Sequence, residues 1–363
     1  MTGRLILRLA YGLDIQKKDD PHVTDAEALL RMLIKSSIQG SYLVNSVPAL
    51  KWVPEWMPGE YLYEFGGADF KRVARLWRRR GNAIVDKPFH EVKESVTNGT
   101  PPTPSFTLNS LEKSADEAVI RDAAATMYNG GTDTTVVTLL NFTLAMLDHP
   151  EMQRRAQAEL DSILGPLQTP KGMSGHMPTF EHESRLPYIT ALVRESSRYR
   201  PVTPVVGFNF ANPSISHAYS GAEADIYKGY AMPSGSIIIP NVWSLMHNEI
   251  TYPDPYAFKP ERFLTAEGKL DPQVRDPATM AFGFGRRVCL GRHLAYNSVW
   301  IMIASILRVY NIQKAKDADG RPVEPRRVWV TALTQNPEHF KCVLVPRSAD
   351  AVKMIRATEG MEY

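Results

Sequence analysis

Cysteine is almost missing from this chain: Cys289 and Cys342 are the only two in 363 residues. Two cysteines cannot build a disulfide framework, and their spacing suits no cysteine-rich zinc site, so reducing surroundings fit. An excess of one charge is missing too. With 42 Lys and Arg against 39 Asp and Glu the net charge is +3, which gives no reason to invoke nucleic acid as a partner. Long apolar runs are also scarce. The start, MTGRLILRLAYGLDI, is broken by Arg8 and has no small-residue cleavage site, and the run from Val299 to Leu307 is too short for a bilayer. Neither a signal peptide nor a transmembrane anchor is therefore expected in the chain as written. No Gly/Ser-rich or Pro-rich linker separates two periodic regions and no repeat recurs at a fixed period, so one large domain over residues 1–363 is expected.

What is present is an ordinary globular composition, 44% hydrophobic and 22% charged, with helical periodicity over most of the length. From Asp25 to about Gly99 the pattern is helical, with KWVPEWMPGEY as a turn between helices. Lys71, Arg72, Arg75, Arg78, Arg79 and Arg80 interleave with Val73, Leu76 and Trp77, the wet side of an amphipathic helix rather than a binding patch. Ser110 is the expected N-cap of a very long helix that runs to Asp148, where His149-Pro150 stops it. Pro150 opens the next helix and Gly165 closes it; Pro187 opens another that ends before Pro201. Short β-type runs follow, DIYKGYAMP and GSIIIP, then the Pro-rich TYPDPYAFKPERF. Helix returns after Cys289, and FKCVLV is the last strand. The fold class is mainly α with a small β-sheet region, α+β.

The strongest chemical signal is FGFGRRVCLG, Phe282 to Gly291. Gly285 permits a tight turn and Gly291 lets the chain come close to a flat ligand such as a porphyrin. Cys289 sits where the amides of the following helix begin, so those amides and the helix dipole favour a thiolate there. A thiolate on heme iron donates electron density that favours O–O cleavage. A lone cysteine is more often a buried structural residue, but the glycine and arginine context argues against that here.

Two weaker signals stand upstream. Glu195 and Arg198 are three residues apart on the helix opened by Pro187, a spacing common in surface pairs of roughly 0.5 kcal/mol or less. Pro260-Glu261-Arg262-Phe263 supplies a third charge, Arg262, for a buried triad of scaffold rather than catalyst type. Within the long helix, Gly130-Gly131-Thr132-Asp133-Thr134-Thr135 should lower helix stability. A hydroxyl bond from Thr134 to the Gly130 carbonyl would open a groove for O2 and water, with Asp133 beside it to relay protons. An accidental weak spot in a helix reads the same in sequence.

GGTDTT, ExxR, PERF and FxxGxRxCxG, in that order in one chain, resemble the cytochromes P-450. The resemblance runs nearly from end to end, and YKGYAMPSGS, PNVWSLMHN and AATMYNGGTDTT are similar to fungal microsomal members, a group that serves fungal secondary metabolism. It implies the cytochrome P-450 fold and heme b (iron protoporphyrin IX) ligated by Cys289. Arg287 and His217 would contact its propionates, with Phe282, Gly285 and Gly291 shaping the loop. Thr134 and Asp133 would serve oxygen activation and proton delivery, and Glu195, Arg198 and Arg262 would hold the core behind the heme. The implied activity is that of a heme-thiolate monooxygenase, inserting one atom of O2 into an apolar small-molecule substrate. Electrons would come from an NADPH-cytochrome reductase docked behind Cys289, near Arg286 and Arg292.

Full-length members of the family sit at the cytoplasmic face of the endoplasmic reticulum membrane. Here LILRLAYGLDI resembles a helix well inside such a member. The resemblance therefore implies a chain lacking the N-terminal anchor, the early helices and the substrate roof, and hence cytoplasmic or peripheral. Gly207 to Ser216, GFNFANPSIS, reads as a possible insertion before His217. Two readings follow, an active monooxygenase or a non-catalytic or unstable heme-binding fragment whose open distal pocket admits water.

Overall fold

A computed structural model describes residues 2–13, 20–38, 41–54, 69–100, 102–113, 115–167, 175–205, 225–233, 239–285, 288–331 and 334–358. Its chain forms two compact units, Met1–Val136 with Thr331–Leu333, and Val137–Val330 with Thr334–Tyr363. Among the described residues the architecture is mainly helical with three small two-stranded sheets.

The first unit holds α1 (Thr2–Tyr11), α2 (Pro21–Ser37), α3 (Asp69–Thr97), α4 (Phe106–Glu112) and the first half of α5 (Glu117–Asp148). Asp20 caps α2 by accepting from His22 N at 2.9 Å, and Pro21 fills the first helical position, where no amide is needed. Leu7, Ala10, Tyr11, Val92, Ala124 and Tyr128 are buried in its core. The end of α1 is tied down by Thr107 Oγ1 donating to Ala10 O at 2.7 Å and Thr103 Oγ1 donating to Gly12 O at 3.0 Å. Gly12 has φ +72°, and a Cβ there would stand 2.2 Å from Thr103 O, so no other residue fits. The basic run lies on α3, where Arg72, Arg75 and Arg78 to Arg80 are exposed and Lys71, Val73 and Trp77 are half-buried.

Ser110 does not cap the long helix. It lies inside α4, whose cap is Ser105, accepting from Leu108 N at 3.2 Å. The long helix starts afresh at Glu117, where Asp116 accepts from Ala118 N at 2.8 Å. Two local side-chain caps divide what apolar periodicity alone runs together.

The second unit contains the rest of α5, then α6 (Pro150–Leu164), α7 (Pro187–Tyr199), α8 (Val242–Met246), α9 (Ala278–Ala281), α10 (Arg292–Val309) and α11 (Ala349–Ala357). Pro150 and Pro187 each occupy a helix start, and Gly165, at φ +80°, closes α6. The core packs Phe142, Leu160, Ile189, Leu192, Trp300, Ile303 and Leu307, each large side chain contributing roughly 1.5–3 kcal/mol by leaving water. Trp300 keeps its indole N–H satisfied by donating to Thr190 Oγ1 at 3.1 Å.

The strands are β1 (Asp225–Tyr227), β2 (Tyr230–Met232), β3 (Tyr310–Lys314), β4 (Trp329–Thr331), β5 (Gln335–Pro337) and β6 (Cys342–Pro346). In DIYKGYAM, Lys228 (φ +50°) and Gly229 (φ +85°) make the two-residue turn of the β1–β2 hairpin. β6 pairs antiparallel with β3, Ile312 opposite Leu344. Gln153 of α6 pins β3 by exchanging two hydrogen bonds with Ile312, 2.6 and 3.2 Å. GSIIIP falls mostly outside the described residues. Among the described residues no helix is long and apolar enough to cross a membrane.

Candidate functional site

Cys289 lies between α9 and α10, in a loop shaped by two left-handed glycines, Gly283 (φ +79°) and Gly285 (φ +61°). Residues with a Cβ rarely adopt such angles, so glycine is required at both turns. Three backbone bonds hold the loop: Val288 N to Gly285 O (3.2 Å), Cys289 N to Phe282 O (2.8 Å) and Arg292 N to Cys289 O (3.3 Å). Gly291 is the N-cap of α10, and a Cβ there would meet Cys289 Sγ at 3.9 Å, an ordinary contact. The Cys289 thiol is exposed, and Leu290 beside it is 93% exposed. The donor chemistry fits heme iron: one accessible sulfur, a soft ligand, at the start of a helix. Arg286 and Arg287 lie outside the described residues, while Arg292 sits on the first turn of α10.

Glu195 and Arg198 of α7 are both fully buried. Arg198 donates to both carboxylate oxygens, from Nε at 2.7 Å and Nη2 at 2.8 Å. Its remaining donors reach the carbonyls of Met246 (2.9 Å), Pro255 (2.8 Å) and Ala257 (3.2 Å). Arg262 approaches Glu195 with Nε at 3.2 Å, and Lys259 N donates to it at 2.7 Å. The TYPDPYAFKPERF segment is therefore strapped onto α7 by three charges and a set of backbone groups. Those carbonyls carry no sequence signal, because any residue supplies one. Charges that are paired and fully hydrogen-bonded avoid the penalty of burial alone.

At the centre of α5, Thr134 Oγ1 donates to Gly130 O at 2.9 Å, and Thr132 Oγ1 to Tyr128 O at 2.6 Å. The two glycines face different surroundings. A Cβ on Gly131 would press to 2.6 Å from Ile6 Cδ1 of α1, whereas one on Gly130 would meet nothing within 4 Å. Asp133 Oδ2 is buried with no hydrogen-bond partner among the described residues. Burial, and then the charge of Glu27, push its carboxyl up to about 6.

Thr134 and Asp133 belong to the first unit, and Cys289, Glu195, Arg198 and Arg262 to the second. His217 and residues 207–216 lie outside the described residues. No group of three or more His, Cys, Asp and Glu that could hold a metal ion occurs among the described residues.

Residues 53–343 match the family model for cytochrome P-450. The chain is 43% identical over 364 residues to cytochrome P-450 monooxygenase 98 of Postia placenta, covering 98% of this chain and 65% of that protein. It is 36% identical over 356 residues to tryptamine 4-monooxygenase of Psilocybe cyanescens, covering 96% of this chain and 65% of that protein. The chain thus spans about 65% of the length of these relatives. Its described elements, helical with small antiparallel sheets, agree with the α+β fold of that family. The chain belongs to the cytochrome P-450 family.

Proposed function

We propose that this chain carries the heme-thiolate site of a monooxygenase, with Cys289 as the iron ligand, and that it forms a single P-450 domain. The observation that carries this reading is an exposed thiol in a loop of left-handed glycines at the start of α10, within a chain matched by the family model. When bound, the heme supplies O2 binding and its reductive activation.

The chain's own residues divide the remaining work. Cys289 would hold the iron through its sulfur, and Arg287 and His217 would neutralise the propionates. Phe282 holds the Cys289 amide through its carbonyl. Glu195, Arg198 and Arg262 fix the strap beside α7, so that the loop has a rigid support. Asp133, with its carboxyl pushed up to about 6, takes and releases a proton close to neutral pH, as proton delivery requires. Thr134 stands next to it, its hydroxyl donating to Gly130 O.

The substrate we propose is an apolar small molecule, the electron donor an NADPH-dependent reductase, and the location, for the full-length family, the cytoplasmic face of the endoplasmic reticulum membrane. One relative is named tryptamine 4-monooxygenase, which makes arylalkylamines a sensible first panel. The test is reduction of the heme-loaded chain under carbon monoxide, followed by turnover with NADPH and a microsomal reductase. A red-shifted Soret band with substrate oxidation is expected. The band without turnover supports a non-catalytic heme-binding polypeptide, and no heme uptake overturns both readings.

A further inference from the structure

In an Asn-Gly pair the asparagine side chain is open to attack by the backbone, because the glycine has no Cβ to crowd the amide nitrogen that follows the asparagine. The pair occurs twice in this chain, at Asn98-Gly99 and Asn129-Gly130. The two copies stand in opposite settings. Asn129 lies well inside α5, where Gly130 O also accepts from Thr134 Oγ1 at 2.9 Å. Asn98 is the first residue past α3 and is exposed.

The end of α3 is closed by Gly99 N donating to Val96 O at 3.1 Å and Thr100 N donating to Ser95 O at 2.9 Å, around Gly99 at φ +72°. This is the Schellman arrangement, and it lies in the part of a helix that opens first. The space beside Gly99 is clear, since a Cβ there would meet nothing within 4 Å. When the last turn frays, the Gly99 amide is released and the Asn98 carboxamide can swing onto it from the solvent side. At Asn129 the same motion requires breaking α5 in its middle.

We propose that Asn98 is a site of spontaneous deamidation in the folded chain, with water as the co-reactant. The Gly99 amide nitrogen loses its proton to solvent and bonds to Asn98 Cγ; the Cγ–Nδ2 bond breaks and that nitrogen leaves as ammonia. Water then opens the cyclic imide at either carbonyl, giving aspartate or isoaspartate at position 98. Either product puts a negative charge at the C-terminal end of α3, where the helix dipole disfavours it. Isoaspartate also adds a main-chain carbon, which spoils both closing bonds. The stretch beyond carries the Thr103 tie to α1 and the Ser105 cap of α4, so the modified chain should be less stable. The inference is independent of the heme reading.

The test is peptide mass spectrometry of the full chain aged in buffer, at neutral and mildly alkaline pH, with and without urea, the isoaspartyl form being separated by chromatography. In the folded chain, conversion at Asn98 should outrun conversion at Asn129 by about tenfold or more, the difference between a fraying end and a helix centre. In urea the two rates should approach each other, because the reacting pairs are the same. Alkaline buffer should speed both, since the attacking nitrogen must lose its proton. Asn98→Gln, whose longer side chain closes an imide far more slowly, should abolish the modification there and hold the thermal midpoint constant on ageing while that of the wild type falls. Equal rates at Asn98 and Asn129 in the folded chain, or conversion of Asn98 in urea alone, overturns the proposal.

Discussion

Glu195 and Asp133 are withdrawn from water on opposite terms. Glu195 is fully enclosed and accepts from Arg198, Arg262 and the Lys259 amide. Asp133 has one oxygen buried without a partner among the described residues, and its carboxyl is pushed up to about 6. Desolvation acts on both; only Glu195 has cations and amide donors to offset it. Under the function proposed above, the difference separates support from chemistry. A carboxylate held by three neighbours keeps its place, whereas burial pushes the one left short of partners up to about 6.

The comparison breaks most severely at Glu195. Glu195→Ala leaves two buried guanidinium groups without their counter-charge, and a loss of about 3–5 kcal/mol in denaturant unfolding is expected. A loss below about 1 kcal/mol would mean that the cluster is not the support described.

Asp133→Asn should act with the other sign. The folded chain keeps the Asp133 proton up to about pH 6, against an ordinary value of 3.8. Stability from this group is therefore full below the ordinary value and is lost as pH rises through the folded one. The variant should match wild type near pH 3 and exceed it by about 3 kcal/mol near pH 7. Parallel pH profiles for the two proteins would remove the burial argument.

The adjacent glycines sharpen the picture of α5. Gly131→Ala drives a methyl into Ile6 and should cost about 1–3 kcal/mol by overpacking. Gly130→Ala meets open space and should stabilise the helix by about 0.5–1 kcal/mol. Equal effects would show that α1 does not press on this stretch. Thr134→Ala, which removes one bond within the helix, should change stability least, by under about 1 kcal/mol, while diverting reducing equivalents to peroxide. Unchanged coupling would take Thr134 out of the proton path.

Helix boundaries set by proline and glycine were legible in the sequence, because Pro150, Gly165 and Pro187 act through their own backbone geometry. The start of α5 was not. Ser105, Ser110 and Asp116 are all competent caps, and the choice among them is made by local hydrogen bonding. β3 was hidden for another reason: it follows α10 without an intervening turn residue, and its strand character comes from pairing with β6 and from Gln153. In the site, Cys289 and the Glu195–Arg198 spacing were readable as residue types. The carbonyls that complete the Arg198 shell were not, since backbone groups look alike in every sequence.

The central claim rests on one sulfur out of two. Cys289 is exposed in its glycine loop, and Cys342 is half-buried on β6. The most direct measurement is the carbon monoxide difference spectrum of the reduced, heme-loaded chain for Cys289→Ser and Cys342→Ser side by side. Loss of the thiolate-type Soret band in Cys289→Ser with its retention in Cys342→Ser is the expected result. Retention of that band in Cys289→Ser would contradict the assignment.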